Sequence, residues 1–394
     1  MPSSIRKALN ELPATLYDTY ERALEGIHKE KRQHAHCLFL CLVGALRPLR
    51  AEELAELFAI DFDQDSDSMS NFMEGWQPEN PEEAVLSTCS TLISIIDDKG
   101  AKIVQFSHFS VKEFLTSGRL RTSEVGNICD YHIPLNAVHT TLARACLAVL
   151  LQLDENVDKK RLRTFPLALY AAQHWVEHAK YEDAASRVQN AMEELFNPTK
   201  PYFVAWVWLH DVDKFWDRQS IGRLTELPSP PSGTALYYAA LCGFSGVANY
   251  LIITHAKEIN AMGGSWGAPL HAASIRGHLG VVSLLLQYNA DVNVKSKGYY
   301  NWTSLHLASS FGQAKVAQLL LEHGADVNAL STSNSTPLEW ASRSGYLEIV
   351  RLLLINGADM HIPDENGHTV FQKATKNQNV EIAQLLLEHS AEKE

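Results

Sequence analysis

Two short stretches spell patterns that elsewhere serve catalysis. Gly263-Gly264-Ser265-Trp266-Gly267 spells G-x-S-x-G, the pattern that holds a nucleophilic serine on a strained turn between a strand and a helix. His174-Trp175-Val176-Glu177-His178 spells H-x-x-E-H, which on a helix sets two imidazoles one turn apart as zinc ligands with a carboxylate base between them. Each pattern needs more than its letters. The serine needs a buried strand before it, yet Glu258-Ile259-Asn260 and Ala268-Pro269-Leu270-His271 are in register with a repeat that runs through this part of the chain. The histidines need a third ligand, and the carboxylates able to supply one lie in or beyond a proline-rich stretch around Pro228, Pro230 and Pro231. The serine pattern is read as a turn of that repeat and the histidine pattern as a solvated or partner-facing helix, with a serine or metal-dependent hydrolase as the alternative. No metal site and no cofactor are expected.

The repeat decides most of the rest. Leu236, Leu270, Leu305, Leu338 and Phe371 follow one another at 34, 35, 33 and 33 residues. Each opens a small-residue helix, preceded by a cap such as Ser335-Thr336-Pro337. Seven residues later comes a glycine (Gly243, Gly277, Gly312, Gly345; Gln378 in the last unit), then an aliphatic run such as Leu319-Leu320-Leu321. Ala-Asp-Val-Asn or a near equivalent closes most units. That period and spelling are those of ankyrin repeats. Threonine caps the first helix, proline fits its first turn, and glycine permits the positive φ that ends it. No unit can bury its leucines alone, so five must stack.

Composition narrows the class. The chain has 394 residues, is 46% hydrophobic and carries a net charge of −12, so general affinity for nucleic acid or anionic membrane is not expected. Six cysteines form no CxxC pair and read as reduced thiols, which points to the cytoplasm, with the nucleus as the alternative. No apolar run is long enough for a membrane helix. From Ser3 to about Ala45 the apolar spacing is helical. Ala51–Leu57 and Glu82–Cys89 predict two more helices, and Leu92–Ile96 with Ile103–Phe106 predict a hairpin around a four-residue turn at Asp97–Gly100. Three helices and a hairpin make a winged helix, which raises DNA contact as a further alternative. Between Ala51 and Asp98, however, thirteen Asp or Glu stand without one Lys or Arg, a surface that repels phosphate.

Several of these residues carry a resemblance. Leu9-Asn10-Glu11-Leu12-Pro13, Arg47-Pro48-Leu49, Cys89-Ser90-Thr91-Leu92-Ile93 and above all Phe106-Ser107-His108-Phe109-Ser110-Val111-Lys112-Glu113-Phe114-Leu115 resemble the region C-terminal to the NTPase in fungal NACHT/ankyrin proteins of the STAND, or NOD-like, class. The likeness continues through Tyr170–Trp175 and Leu195–Pro198. It implies a winged helix acting as a lever of a switch, in which the histidine matching His108 would sense nucleotide phosphate; read from the residues alone, His108 closes the last strand and caps the following helix. The chain is then expected to be either the split partner of a separate NACHT-type NTPase chain or a decayed copy of such a receptor. No G-x-x-x-x-G-K-S/T occurs here, so this sequence is expected to begin just after such a domain.

The expected architecture is mostly α: a helical segment over 1–30, a winged-helix domain over 31–120, a helical middle domain over 121–222, a linker over 223–233 and about five ankyrin repeats over 234–394. The expected function is non-enzymatic recognition of a protein partner by the concave face of the stack. Register places Trp266, Tyr299, Tyr300 and Trp302 at the tips of the turns between units. It places Ile275, Arg276, Phe311, Trp340 and Arg343 on or beside the inner helices. Aromatic and arginine side chains are the types most often found as interface anchors. The turn from Lys295 to Trp302 is expected to be two residues longer than the others, which accounts for the 35-residue spacing.

Overall fold

A computed structural model of the chain describes residues 16–60, 78–121, 128–154, 157–214, 230–297, 300–377 and 379–391. Expectations for the Leu9–Pro13 motif, for most of the linker, for Tyr299 and for Gln378 lie outside these residues. The chain forms two compact units. The first holds Met1–Leu195 and Lys200–His210; the second takes in Phe196–Thr199, resumes at Asp211, and runs from Ser229 to Glu394.

In the first unit the N-terminal helical pattern is two helices rather than one. Residues 16–25 are helical (α1), the chain breaks at Gly26–His28, and Arg32–Gly44 forms α2. There follow β1 (Leu49–Arg50), α3 (Ala51–Glu56), α4 (Pro81–Cys89), β2 (Ile93–Asp98), β3 (Ala101–Phe106) and α5 (Phe109–Thr116). The sheet runs β1-β3-β2 and is antiparallel throughout, with Leu49 opposite Val104 and Ile95 opposite Val104 on the other side. This is a winged helix. The hairpin turn is tighter than expected: only Lys99 and Gly100 lie outside the strands, both at positive φ (53° and 89°), the geometry that matches strand twist in a two-residue turn.

Arg47 explains why its motif sits before β1. Its guanidinium chelates Glu53 at 2.9 and 2.7 Å, and the same carboxylate accepts the Arg50 N–H at 2.8 Å, so the start of α3 is capped by its own third residue. Phe114 on α5 takes the rings of Tyr17 and Tyr20 (5.4 and 5.5 Å), which seats α1 on the winged helix.

Short helices α6 (Gly118–Arg121) and α8 (Lys159–Leu162) flank a longer one, α7 (Leu135–Leu150), and α9 (Ala168–Ala179) packs along α7. The remaining helices of this unit are α10 (Ala184–Arg187), α11 (Gln189–Leu195) and α12 (Tyr202–Leu209). Trp175 and Trp206 meet edge to face at 5.2 Å, and the Trp206 indole donates to Ala172 O at 3.2 Å. Both rings are fully buried.

The second unit is a stack of helix pairs. Inner helices are α13 (Ala235–Cys242), α15 (Pro269–Arg276), α17 (Ser304–Ser310), α19 (Pro337–Ser344) and α21 (Val370–Lys376). Outer helices are α14 (Ser245–Thr254), α16 (Leu279–Gln287), α18 (Ala314–Glu322), α20 (Leu347–Ile355) and α22 (Val380–Ala391). Thr234, Thr303, Thr336 and Thr369 cap their inner helices as expected, and Gly243, Gly277, Gly312 and Gly345 follow them at φ 75–84°. Asn289 serves the outer helix α16 in the same way at φ 60°, a conformation asparagine tolerates best among residues with a Cβ.

Successive repeats are joined by a ladder that explains the Val-Asn spelling. Asn260, Asn293 and Asn328 each accept the backbone N–H of the aspartate in the next repeat, at 3.0, 2.8 and 2.8 Å. His361 ends the row. The turns between repeats are closed by backbone bonding between residues four apart (Gly263 with Gly267, Ser331 with Ser335, Asp364 with His368), but six apart for Ser296 with Trp302. That is the expected two-residue extension.

Residues before the expected linker complete the first repeat. Asp213 is 1% exposed and accepts the Tyr237 hydroxyl at 2.7 Å and the Ser265 N–H at 2.6 Å. Asp211 accepts the Tyr238 hydroxyl at 2.8 Å, and Phe196 meets Phe244 edge to face at 6.5 Å.

Candidate partner-binding face of the repeat array

Two aromatic groups stand on the turns and inner helices of the central repeats. In one, Trp266 meets Phe311 edge to face at 6.0 Å; Phe311 is 44% exposed. In the other, Tyr300 (57% exposed) leans on Trp302 at 5.4 Å, Trp302 meets Trp340 edge to face at 4.6 Å, and the Arg343 guanidinium lies over the Trp340 ring at 5.2 Å. The long turn brings this about: Tyr300 and Trp302 belong to its returning arm, which reaches the next repeat through the Thr332 N–H donated to Tyr300 O at 3.0 Å. Trp302 also stacks on His306, 6.5 Å away and within 14° of parallel.

Of the expected face residues, Trp266, Trp302 and Trp340 are half-buried, and Arg276, Tyr300, Phe311 and Arg343 are exposed. Ile275 is not on the face. It is buried at 5%, because in the last turn of α15 its side chain points into the stack while Arg276 turns outward. Tyr299 lies outside the described residues.

The scaffold beneath was not anticipated. His271 and His306 are fully buried and bridge adjacent repeats. Nδ1 of each accepts a backbone N–H at the start of its own helix (Ala268, 3.0 Å; Thr303, 3.2 Å), while Nε2–H donates to a carbonyl of the next turn (Val294, 3.1 Å; Ser335, 3.0 Å). Burial lowers both imidazoles to about 4, so they are neutral here. In the fourth repeat Glu339 takes the histidine's place, and Lys373 bridges it to Asp364. Asp364 is buried, which works against its charge, but the Lys373 bond and two backbone N–H groups hold its carboxyl well below the usual range.

The two catalytic-looking patterns resolve into structure. Ser265 is an exposed residue in the turn bridged by Gly263 and Gly267, with its N–H held by Asp213. No strand precedes it. The H-x-x-E-H helix is α9, and the solvent-facing or partner-facing helix expected there is a core helix instead. His178 is fully buried; its Nε2 bonds the Tyr170 hydroxyl at 2.9 Å and its Nδ1 bonds His139 Nδ1 at 2.8 Å. Both ring nitrogens are thus engaged by neutral groups, and burial lowers this imidazole to about 3. His174 instead pairs with Glu177 at 3.3 Å. Among the described residues no cluster of His, Cys, Asp or Glu could hold a metal ion. His108 caps α5: its Nδ1 accepts the Ser110 N–H at 3.3 Å and bonds the Ser110 hydroxyl at 2.6 Å, which in turn bonds the Tyr20 hydroxyl at 2.8 Å.

Comparison with known proteins agrees with this division. Residues 20–125 match the family described as GPI inositol-deacylase, winged helix domain, and residues 236–331, 270–364 and 338–394 match ankyrin repeats. A Monascus ruber protein named azaphilone pigments biosynthesis cluster protein L is 32% identical over 301 residues. The match covers 72% of this chain and 61% of that protein, so this chain accounts for about three-fifths of the relative's length. The order of domains is the one implied by the resemblance to the part of fungal NACHT/ankyrin proteins that follows the NTPase: the chain belongs to those that carry a winged helix domain of the GPI inositol-deacylase type and, after it, a run of ankyrin repeats.

Proposed function

We propose that this chain is a non-enzymatic binding and regulatory module that grips a protein partner with the inner face of its repeats, in the manner of the C-terminal part of a NOD-like signalling receptor acting with a NACHT-type NTPase. The observation that carries the reading is the row Tyr300–Trp302–Trp340–Arg343. The indole N–H groups of Trp302 and Trp340 are buried without a hydrogen-bond partner among the described residues, which costs about 1–3 kcal/mol each in a site that leucine would fill without penalty. Stability alone does not select such residues. Interface anchors are drawn from these types, and the neighbouring Tyr300 and Phe311 are already exposed. The six cysteines form no disulfide, which supports a reducing compartment. No helix among the described residues is long and apolar enough to cross a membrane.

The test is capture of a partner from source-cell extract by the intact chain and by Tyr300→Ala with Phe311→Ala. Both side chains are exposed, so the melting temperature should hardly change while affinity falls by more than about 1 kcal/mol, roughly fivefold. Undiminished capture by the double variant would move the site off this face.

A further inference from the structure

Within the first unit, a cavity of about 480 Å³ opens beside α3, a volume in the range of small-molecule sites. Pro81, Phe165, Pro166 and Leu169 make much of its wall apolar. One polar group in that wall has no structural explanation. Glu56, the last residue of α3, is 4% exposed; Oε2 accepts the Leu167 N–H at 2.6 Å, and Oε1 has no hydrogen-bond partner among the described residues. Burial pushes this carboxyl up to about 8, with the Glu53 charge adding to the effect against the Leu167 bond, so at neutral pH it keeps its proton. A protonated carboxyl is a donor, and among the described residues this one lacks an acceptor.

The rim supplies charge. Arg50 is held by Glu52 at 2.6 Å and Glu53 at 3.1 Å, so its charge is already matched. Arg163 is exposed beside the cavity, and no ion pair holds it among the described residues. A cationic ligand would meet the unmatched Arg163 guanidinium. An anionic one would meet a partner at the mouth and a hydrogen-bond donor inside.

We propose that this cavity binds a small, largely apolar organic acid, its acid group paired with Arg163, its body against Phe165 and Leu169, and an oxygen at its far end accepting from Glu56. The site is independent of the repeat face and of the partner bound there.

The probe is p-methoxycinnamate, an aromatic carboxylate with an ether acceptor at the opposite end, titrated calorimetrically into the intact chain. Saturable binding of one molecule per chain is expected at pH 7. Arg163→Gln should weaken it about tenfold, the worth of one charge-assisted hydrogen bond, with the melting temperature unchanged because the side chain is exposed. Leu169→Trp, which fills the cavity, should abolish it. Affinity should decline above about pH 8, as Glu56 ionises next to Glu52 and Glu53 and adds a negative charge facing the ligand in a cavity whose cationic groups are Arg50 and Arg163. Glu56→Gln keeps an acceptor for Leu167 and a donor for the ligand, so it should bind with no such decline. Absence of saturable binding would show a cavity that holds water only. Equal binding by Leu169→Trp and Arg163→Gln would place the probe elsewhere, and either result overturns the proposal.

Discussion

Replacing Arg47 by alanine should destabilise the first unit by about 3 kcal/mol, at the low end of what removing one partner of a buried ion pair costs. Glu53 is fully buried and receives two bonds from the Arg47 guanidinium. Burial alone would raise its pKa, but Arg47 first, then the Arg50 N–H, bring the carboxyl below its usual range. Without Arg47 the carboxylate keeps only Arg50, whose guanidinium is also shared with Glu52. The Arg47 cation also lies 5.0 Å above the Tyr170 ring, an additional contact of about 1 kcal/mol. Tyr170 in turn accepts the Leu46 N–H at 3.2 Å. Loss of Arg47 thus loosens α9 as well as the start of α3. A urea midpoint that shifts by less than about 1 kcal/mol would show that Arg50 alone suffices. Arg47→Met with Glu53→Leu should recover much of the loss, because two apolar groups leave no buried charge unpaired.

Acid should weaken the repeat unit well before its carboxylates titrate. His271 and His306 are neutral and buried, with folded pKa values near 4 against about 6.5 in the unfolded chain. Above pH 6.5 neither state takes up a proton, and their contribution is complete. Between pH 6.5 and 4 the unfolded chain binds protons that the folded chain refuses, so stability falls with falling pH by up to about 1.4 kcal/mol per unit for each histidine. At pH 5 that is roughly 2 kcal/mol each, about 4 kcal/mol for the pair, a large part of a domain's usual 5–15 kcal/mol. His178 adds a similar slope in the first unit, its lowered pKa having the same sign. The held-down carboxylates Asp364 and Glu53 contribute in the same direction only at lower pH, below the ordinary carboxylate range. Melting followed by circular dichroism should drop by roughly 8–16 °C from pH 7.5 to pH 5. His306→Gln should flatten the slope by one histidine's share. A melting temperature constant across this range would mean that these rings can be charged in place.

What could be read from the residues was whatever repeats or alternates locally. The leucines at 33–35-residue spacing, the capping threonines and the glycines at positive φ are short-range features, and the structure realises them. The hairpin was legible from its alternation, but β1 was not, because Leu49 and Arg50 are too few to show a period and are a strand only through Val104 and Ile103. Gly26 lies inside a continuing apolar spacing, so the break between α1 and α2 left no mark in the pattern. In α9 the polar letters His174, Glu177 and His178 suggested an exposed face, whereas His178 is made a core residue by Tyr170 and by the distant His139. Of the candidate face, the aromatics were found from register and residue type. Ile275 was misplaced by one step of helical phase, and the end piece Asp211–Asp213 was missed because its partners Tyr237, Tyr238 and Ser265 lie 24 to 52 residues away.

Amide hydrogen exchange of the chain with and without its captured partner locates the surface that partner covers. Binding on the repeats should slow exchange over the turns and inner-helix ends around Trp266, Arg276, Tyr300–Trp302, Phe311 and Trp340–Arg343, and leave the hairpin of β2 and β3 and the start of α5 unchanged. Protection confined to residues 93–116, with the repeat turns exchanging as they do in the unbound chain, would contradict it and make the winged helix the binding element.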